Sequence, residues 1–511
     1  MPTAADAISS VSPLLSSPCT DDQLGLRLPK RSSPSYVLDS AAGKPPSPND
    51  ACDFTTGTPV LAGWKQAETT VKALTTGVSV PILRGSFGHL PSRLCLRSQA
   101  ERVYVLGLER AGIIIRRRAL ANHRHFFLHE PKLRLVFDGR RINSRGPRPP
   151  ALQMSRHYQY SAFAARYRFA AKFDLRDFFF NCRLSPALYS LFGFRCSLGD
   201  FCWTRTPFGW CWSPHFADSI AEDIVRHLRS LGIVVLHYCD DFTVFADTEE
   251  ECLRALQIAI SFCDSVGILV KHRKTVLPTS RLPIVGVTYD LAAKTSSLDA
   301  SFWPPLSSSL ARWQATGRSR KVDLAAFIGT LVFANHAYPG SLCLLNPLFA
   351  ALAGMEHLPW GSFVDVSSLL PLAERVLALF RSFPDCALQE GRGDGLMIYH
   401  DATPTQIAVC WDLETRAQEI PEQHIFVAEA MGFALALDAT VEARNRVFVS
   451  DNRPLHLALR KGHSSNSYVN RLVYMVLQRR LDGHIINFRW VPSAENPADA
   501  PSRMNLREHV P

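Results

Sequence analysis

The chain has 511 residues, with 56 Lys and Arg against 46 Asp and Glu and a formal net charge of +10. At roughly 150 residues per domain that length suggests about three folded domains, and 20% charged with 47% apolar residues excludes a wholly disordered chain. No run approaches the roughly 18 apolar residues of a membrane span, and the opening MPTAADAISS lacks a basic leader and an apolar core, so the expectation is an intracellular protein without a membrane partner.

Residues 1–60 hold nine Pro and ten Ser with little periodicity, which predicts a flexible Pro/Ser-rich extension over 1–95. Helical spacing begins near Arg93, with Leu94, Val103, Leu106 and Leu108. Residues 101–150 hold twelve Lys/Arg against four Asp/Glu, a local excess of +8. That is the footprint of a phosphate-binding surface, although a solvated basic face explains the count equally well. Over 96–292 strand-like runs (KLRLVF, RFAAKF, IVVLHY, FTVFA, PIVGVTY) alternate with helical segments, including Pro214 to Leu228 and Glu249 to Val266. Over 293–392 the pattern is mainly helical: Phe302–Trp313, Val322–Asn335 and Ser367–Phe383. A fresh β/α pattern fills 393–511: LMIYHD, AVCWDLE, VAEAMGFALALDATVEA, VFVSDN, YVNRLVYMVLQRRL and INFRWV. The thirteen scattered Cys contain no C-x-x-C pair and read as buried free thiols.

HYCDDFTVFAD predicts a β-hairpin with Asp240 and Asp241 at its tip. Adjacent acids are costly unless cations neutralise them. Asp-Asp is also a common turn pair, so this signal alone favours no chemistry. RFAAKFDLRDFFF adds Asp174 at the end of a second strand, 66 residues upstream. Two neighbouring strands offering Asp174 and Asp240 suit a pair of Mg²⁺ ions clamping attacking and leaving oxygens in phosphoryl transfer, with Asp241 as the weaker ligand.

Asp174 with Phe179, then PFGWCWSP, YCDD, GILVKHRKT and PIVGVTY, resembles in order and spacing the palm of a reverse transcriptase, and KLRLVFDGRRIN resembles its fingers. The resemblance implies that Lys132 and Arg134 contact the incoming triphosphate, that Phe179 packs under the sugar and excludes a 2′-hydroxyl, that Gly209 lets backbone approach the nucleotide, and that Lys274 protonates departing pyrophosphate. Phe208 stands where many retroviral-type enzymes have Gln and cannot donate a hydrogen bond; hepadnaviral polymerases also carry an apolar residue there.

The last zone offers a second carboxylate set. Asp401 ends one strand, Glu429 lies on a helix, Asp451 ends another strand, and Asp499 follows the last in NPADAPSR. DATPT, SDN and VPSAENPADAPSR resemble ribonuclease H, particularly its hepadnaviral branch, and VDLAAFIGTLVFANHAYPG resembles the thumb of those polymerases. The implied fold is α+β and multidomain: right-hand polymerase fingers and palm (96–292), a helical thumb or connection (293–392) and an RNase H-like α/β domain (393–511). The implied cofactors are two Mg²⁺ per active site, or Mn²⁺, held by Asp174, Asp240 and Asp241 and by Asp401, Glu429, Asp451 and Asp499. The implied partners are RNA template, DNA primer, RNA–DNA hybrid, dNTPs and other retroelement proteins. His463 and His484 read as ordinary surface or loop residues. The texture is nearest to retrotransposons that move by a tyrosine recombinase (DIRS and VIPER types). A catalytically silent, domesticated nucleic-acid-binding protein and an RNA-dependent RNA polymerase are the alternatives; the seven intact acids argue against the first and Phe179 against the second.

Overall fold

A computed structural model describes residues 66–82, 93–129, 132–152, 154–389 and 395–504. They divide into two compact units, one within Leu38–Tyr160 and Tyr167–Arg281, the other within Ser161–Arg166 and Leu282–Pro511. The division thus falls at 281/282 rather than 292/293, and the helical zone of 293–392 shares a unit with the β/α zone that follows it.

In the first unit, folded structure begins earlier than the sequence suggested. The helix Glu68–Leu74 buries Thr70, Ala73 and Leu74, and the Ala67 N–H donates to the Asp223 carboxylate at 2.7 Å. The expected flexible extension over 1–95 is corrected for residues 66–82; a short apolar face too small to give periodicity docks them on the core. Residues 1–65 lie outside the described residues. The helix Gln99–Arg110 follows, started by a Ser98/Glu101 capping box, and then the antiparallel pair His125–Leu128 and Arg134–Phe137.

The central sheet holds β1 (Phe169–Asp174), β2 (Val234–Tyr238), β3 (Asp241–Ala246) and β4 (Val276–Thr279), in the order β4-β1-β3-β2. Helix α1 (Ser213–Ser230) buries Phe216, Ile220, Ile224 and Leu228 at helical spacing. Helix α2 (Glu249–Ser265) is capped by the Thr248 hydroxyl and opens with three glutamates, which suit the positive end of the helix dipole. Phe173 of β1 and Phe242 of β3 stack at 5.1 Å in the core beneath the strand ends. PIVGVTY is not the single strand that its apolar run suggested. Val285 and Gly286 both take positive φ (48° and 79°) and turn the chain between Arg281–Ile284 and Val287–Asp290. A two-residue turn with both φ positive matches the twist of a hairpin.

The second unit contains the helices Trp303–Thr316, Lys321–Phe333, Asn346–Gly354 and Leu370–Ser382. A five-stranded sheet follows, made of β5 (Leu396–Thr403), β6 (Gln406–Trp411), β7 (Glu414–Glu419), β8 (Asn445–Ser450) and β9 (Ile485–Trp490), ordered β7-β6-β5-β8-β9. β5 to β7 form an antiparallel meander, while β8 and β9 join in parallel. AVCWDLE therefore splits at Asp412 (φ 45°) into two strands. Helices α3 (Ile425–Ala439) and α4 (Ser467–Leu481) supply the parallel crossovers. Among the described residues, no helix is long and apolar enough to cross a membrane.

Candidate active sites

The first acid cluster follows from strand register. β2 and β3 are joined by a two-residue turn, Cys239-Asp240, with Cys239 at φ 55°. Tyr238 pairs with Asp241, and Asp241 pairs in turn with Asp174, so one sheet end carries all three acids. The Leu175 N–H donates to the Asp240 carbonyl at 3.0 Å and the Lys271 N–H to the Asp174 carbonyl at 2.8 Å, fixing both acid-bearing backbones. Lys274 Nζ lies 3.2 Å from Asp174 Oδ2, and Lys172 Nζ 3.6 Å from Asp241 Oδ2. Burial, then the neighbouring Asp174 and Asp241 carboxylates, push Asp240 up to about 6. Each outer acid leans on its own lysine, and the trio is not among the acid groups whose ligand atoms all lie within 4.8 Å.

Lys132 pairs with Asp177 at 3.3 Å, and Arg134 opens its strand as an exposed side chain. Phe179 is half-buried, its ring 5.0 Å from that of Phe208. Phe208 thus fills space against the aromatic proposed to lie beneath the sugar. Gly209 has φ 108°, and a Cβ there would run into the Phe137 carbonyl oxygen. The Phe137 N–H also donates to the Phe208 carbonyl at 2.9 Å, and the Asn143 side chain donates to the Gly209 carbonyl at 3.1 Å. Glycine is therefore required where the 208–209 turn meets the 137–143 segment.

The second cluster gathers Asp401 of β5, Asp451 just beyond β8, and Asp499 at the start of the last helical turn, with ligand oxygens all within 4.8 Å of one another. Burial first, then Asp451 and Asp499, raise the Asp401 carboxyl to about 6, against a hydrogen bond from Ser502. The Ser502 hydroxyl donates to Asp401 Oδ2 at 2.6 Å, the Ser493 hydroxyl donates to Asp451, and Arg503 donates to Asp499 at 2.7 Å. The expected quartet is a trio with a glutamate beside it. Glu429 comes from α3 and is 4% exposed, and burial together with Asp401 and Asp451 pushes it up to about 9. Among the described residues its Oε2 has no hydrogen-bond partner, and it lies 4.0 Å from the equally unpartnered Nδ1 of buried His400. His463 packs on Phe349 and the His484 ring faces Arg446.

Sequence reasoning missed Ser493 and Ser502. Both sit inside VPSAENPADAPSR, and their signal was a hydroxyl within a few residues of a strand-end or helix-start acid. Asn496, in the same stretch, donates to the His400 carbonyl at 3.0 Å and ties that loop to β5.

Residues 132–289, which hold the first acid cluster, match the family described as reverse transcriptase (RNA-dependent DNA polymerase). Among curated relatives, the Pro-Pol polyprotein of simian foamy virus type 3 (strain LK3) is 24% identical over 258 residues, 50% of this chain and 21% of that polyprotein. The Gag-Pol polyprotein of avian reticuloendotheliosis virus is 28% identical over 200 residues, 37% of this chain and 16% of the relative. The matches thus span about a fifth of these relatives' length. In fold, the chain is similar to the foamy viral protease-reverse transcriptase solved with dsDNA (TM-score 0.53, 14% identity, 86% of this chain and 89% of that one). The same protein solved with an RNA/DNA hybrid gives a TM-score of 0.51 at 16% identity, over 88% and 60% of the two chains. The fold is α+β and multidomain.

Proposed function

We propose that the chain is an RNA-directed DNA polymerase with ribonuclease H activity, copying retroelement RNA into DNA and degrading the RNA of the resulting hybrid. The carrying observation is the register that sets Asp174 opposite Asp241, with Asp240 on the adjoining turn, inside the stretch that matches reverse transcriptases. Both acid sets offer only carboxylate oxygen, the donor chemistry of Mg²⁺ and Mn²⁺. The raised Asp240, Asp401 and Glu429 carboxyls and the orphaned Glu429 Oε2 are what a cation would relieve.

Asp174, Asp240 and Asp241 would hold divalent ions at the polymerase site, and Asp401, Glu429, Asp451 and Asp499 at the hydrolytic one. Bound there, such ions stabilise charge on the attacking and leaving oxygens. Arg134 and Lys132 bind the triphosphate, Lys132 exchanging Asp177 for phosphate. Phe179, braced by Phe208, packs under the sugar and excludes a 2′-hydroxyl. Lys274, held beside Asp174, donates a proton to departing pyrophosphate. RNA template, DNA primer and hybrid are the nucleic-acid partners. The texture of DATPT, SDN and NPADAPSR supports a retroelement whose polymerase resembles those of hepadnaviruses and tyrosine-recombinase retrotransposons.

Primer extension on oligo(dT)·poly(rA) with Mg²⁺ tests this reading: dTTP is incorporated, rUTP poorly, and Asp240→Ala abolishes extension. Absence of extension, or extension unchanged in Asp240→Ala, overturns the polymerase assignment. A labelled RNA·DNA hybrid is cut by the wild type and spared by Asp451→Asn; cleavage that survives the substitution overturns the hydrolytic site.

A further inference from the structure

Apart from the residues of both acid clusters, two arginines face each other with no carboxylate paired to either among the described residues. Arg183 and Arg205 are partners in an isolated antiparallel bridge, which sets their side chains on one face with Cβ atoms about 5 Å apart. Facing like charges destabilise a strand pair unless a counter-charge lies between them. Here no hydrogen bond or ion pair engages either guanidinium (among the described residues). Arg205 is only 8% exposed, and its Nε is buried without an acceptor.

The neighbouring groups do not supply the missing charge. The hydroxyls of Thr204 and Thr206 donate elsewhere, to the carbonyls of Gly112 and Phe179. Cys182 lies alongside, but burial pushes its thiol up to about 12, so it is neutral. Burial and Arg183 hold Arg205 down to about 10, still cationic at neutral pH. A buried cation without a counter-ion is expensive, and an anion seated between two guanidinium forks removes that cost.

We propose that Arg183 and Arg205 form a phosphate-binding site distinct from Lys132 and Arg134, the residues assigned to the triphosphate. Planar guanidinium forks match phosphoryl oxygens bidentately. Two guanidinium forks on one face suit a terminal phosphoryl group, which offers more free anionic oxygens than a phosphodiester flanked by sugars on both sides. Two sources share this chemistry: a free phosphate anion and the 5′-phosphate of a nucleic-acid end.

The test is calorimetric titration and thermal unfolding of the full chain in inorganic phosphate against chloride at equal ionic strength. The same measurements then compare a short 5′-phosphorylated oligonucleotide with its 5′-hydroxyl counterpart. Phosphate raises the wild-type Tm in a concentration-dependent way. Arg205→Gln and Arg183→Gln each weaken binding about tenfold or more, as expected for a charge-assisted hydrogen bond. In chloride alone, Arg183→Gln does not lower Tm, because it removes a like-charge neighbour. Should Arg205→Gln fail to fold, the half-buried Arg183 variant decides. Binding of inorganic phosphate identifies the free anion, and preference for the 5′-phosphorylated strand identifies a nucleic-acid end. No phosphate-specific effect with either probe, or an effect retained in Arg183→Gln, overturns the site.

Discussion

Asp174 and Asp241 stand directly opposite each other across β1 and β3, and each is met by a lysine, Lys274 at 3.2 Å and Lys172 at 3.6 Å. Like charges in this position destabilise a sheet, so the lysines do without metal what a divalent ion would do with it. Lys172→Met and Lys274→Met should therefore lower Tm more in EDTA than in Mg²⁺. Only Lys274→Met should also slow nucleotide incorporation, by about 10²-fold or more if it is the proton donor, with the alkaline limb of the pH–rate profile altered. Equal kinetic effects from the two substitutions would assign Lys274 to charge balance alone.

The second cluster predicts a pH dependence of stability. Asp401 is raised to about 6 and Glu429 to about 9, so the folded state binds their protons more tightly than the unfolded chain does. As pH rises past the ordinary carboxyl values, the unfolded chain ionises first and folding stability falls; the fall ends only near the folded values. Thermal unfolding in EDTA should show declining Tm from about pH 4 towards pH 9. Mn²⁺ should flatten the slope, and Glu429→Gln should remove its upper part. A Tm flat over this range would contradict the buried, charge-crowded geometry.

Much of this was legible in the sequence because each acid ends or begins an apolar run. IVVLHY and FTVFA are the observed strands β2 and β3, and the helical runs near 214–228 and 249–266 correspond to α1 and α2. Turn geometry inside apolar runs was not legible: Val285 takes positive φ, which a β-branched residue rarely does, and PIVGVTY hides that break. Nor was side-chain engagement across large sequence separations, such as Ser502 on Asp401 or Lys132 on Asp177. Those contacts depend on where whole elements dock.

Ser493 and Ser502 each donate a hydrogen bond to a carboxylate of the second cluster. Such partners fix the rotamer of a metal-binding acid, and their loss typically costs about 10–100-fold in metal affinity. Ser502→Ala should weaken Mn²⁺ binding on that scale in a direct titration, while polymerase activity on a primer-template is unchanged. Affinity unaffected in both serine variants would make these contacts incidental.

Gly209 meets the Phe137 carbonyl so closely that no Cβ fits, at a φ that L side chains avoid. Gly209→Ala should cost at least about 1–3 kcal/mol from backbone strain alone, read as a lower denaturant midpoint, and should abolish primer extension. Because Asn143 grips the same turn through the Gly209 carbonyl and the Cys211 N–H, Asn143→Ala should reproduce part of both effects.

The β/α zone of 393–511 is bound to the segment before it by specific polar contacts within one unit. Asn470 donates to the Cys343 carbonyl at 3.0 Å, Arg480 to the Pro339 carbonyl at 2.9 Å, and the Ile486 N–H to Gln389 Oε1 at 2.7 Å. Gly462 lies so near Gly340 that a Cβ would have to displace it. Removing residues before 393 would take away the carbonyl acceptors of Asn470 and Arg480 and expose the apolar face of α4 to water, at about 25 cal/mol per Å² of apolar surface uncovered. A chain of 393–511 should therefore be molten or insoluble, whereas one beginning at 282 should unfold cooperatively and cut hybrid. Circular dichroism and hydrogen exchange on the two fragments distinguish these outcomes. A cooperative, active 393–511 fragment would show that the 334–389 contacts are dispensable.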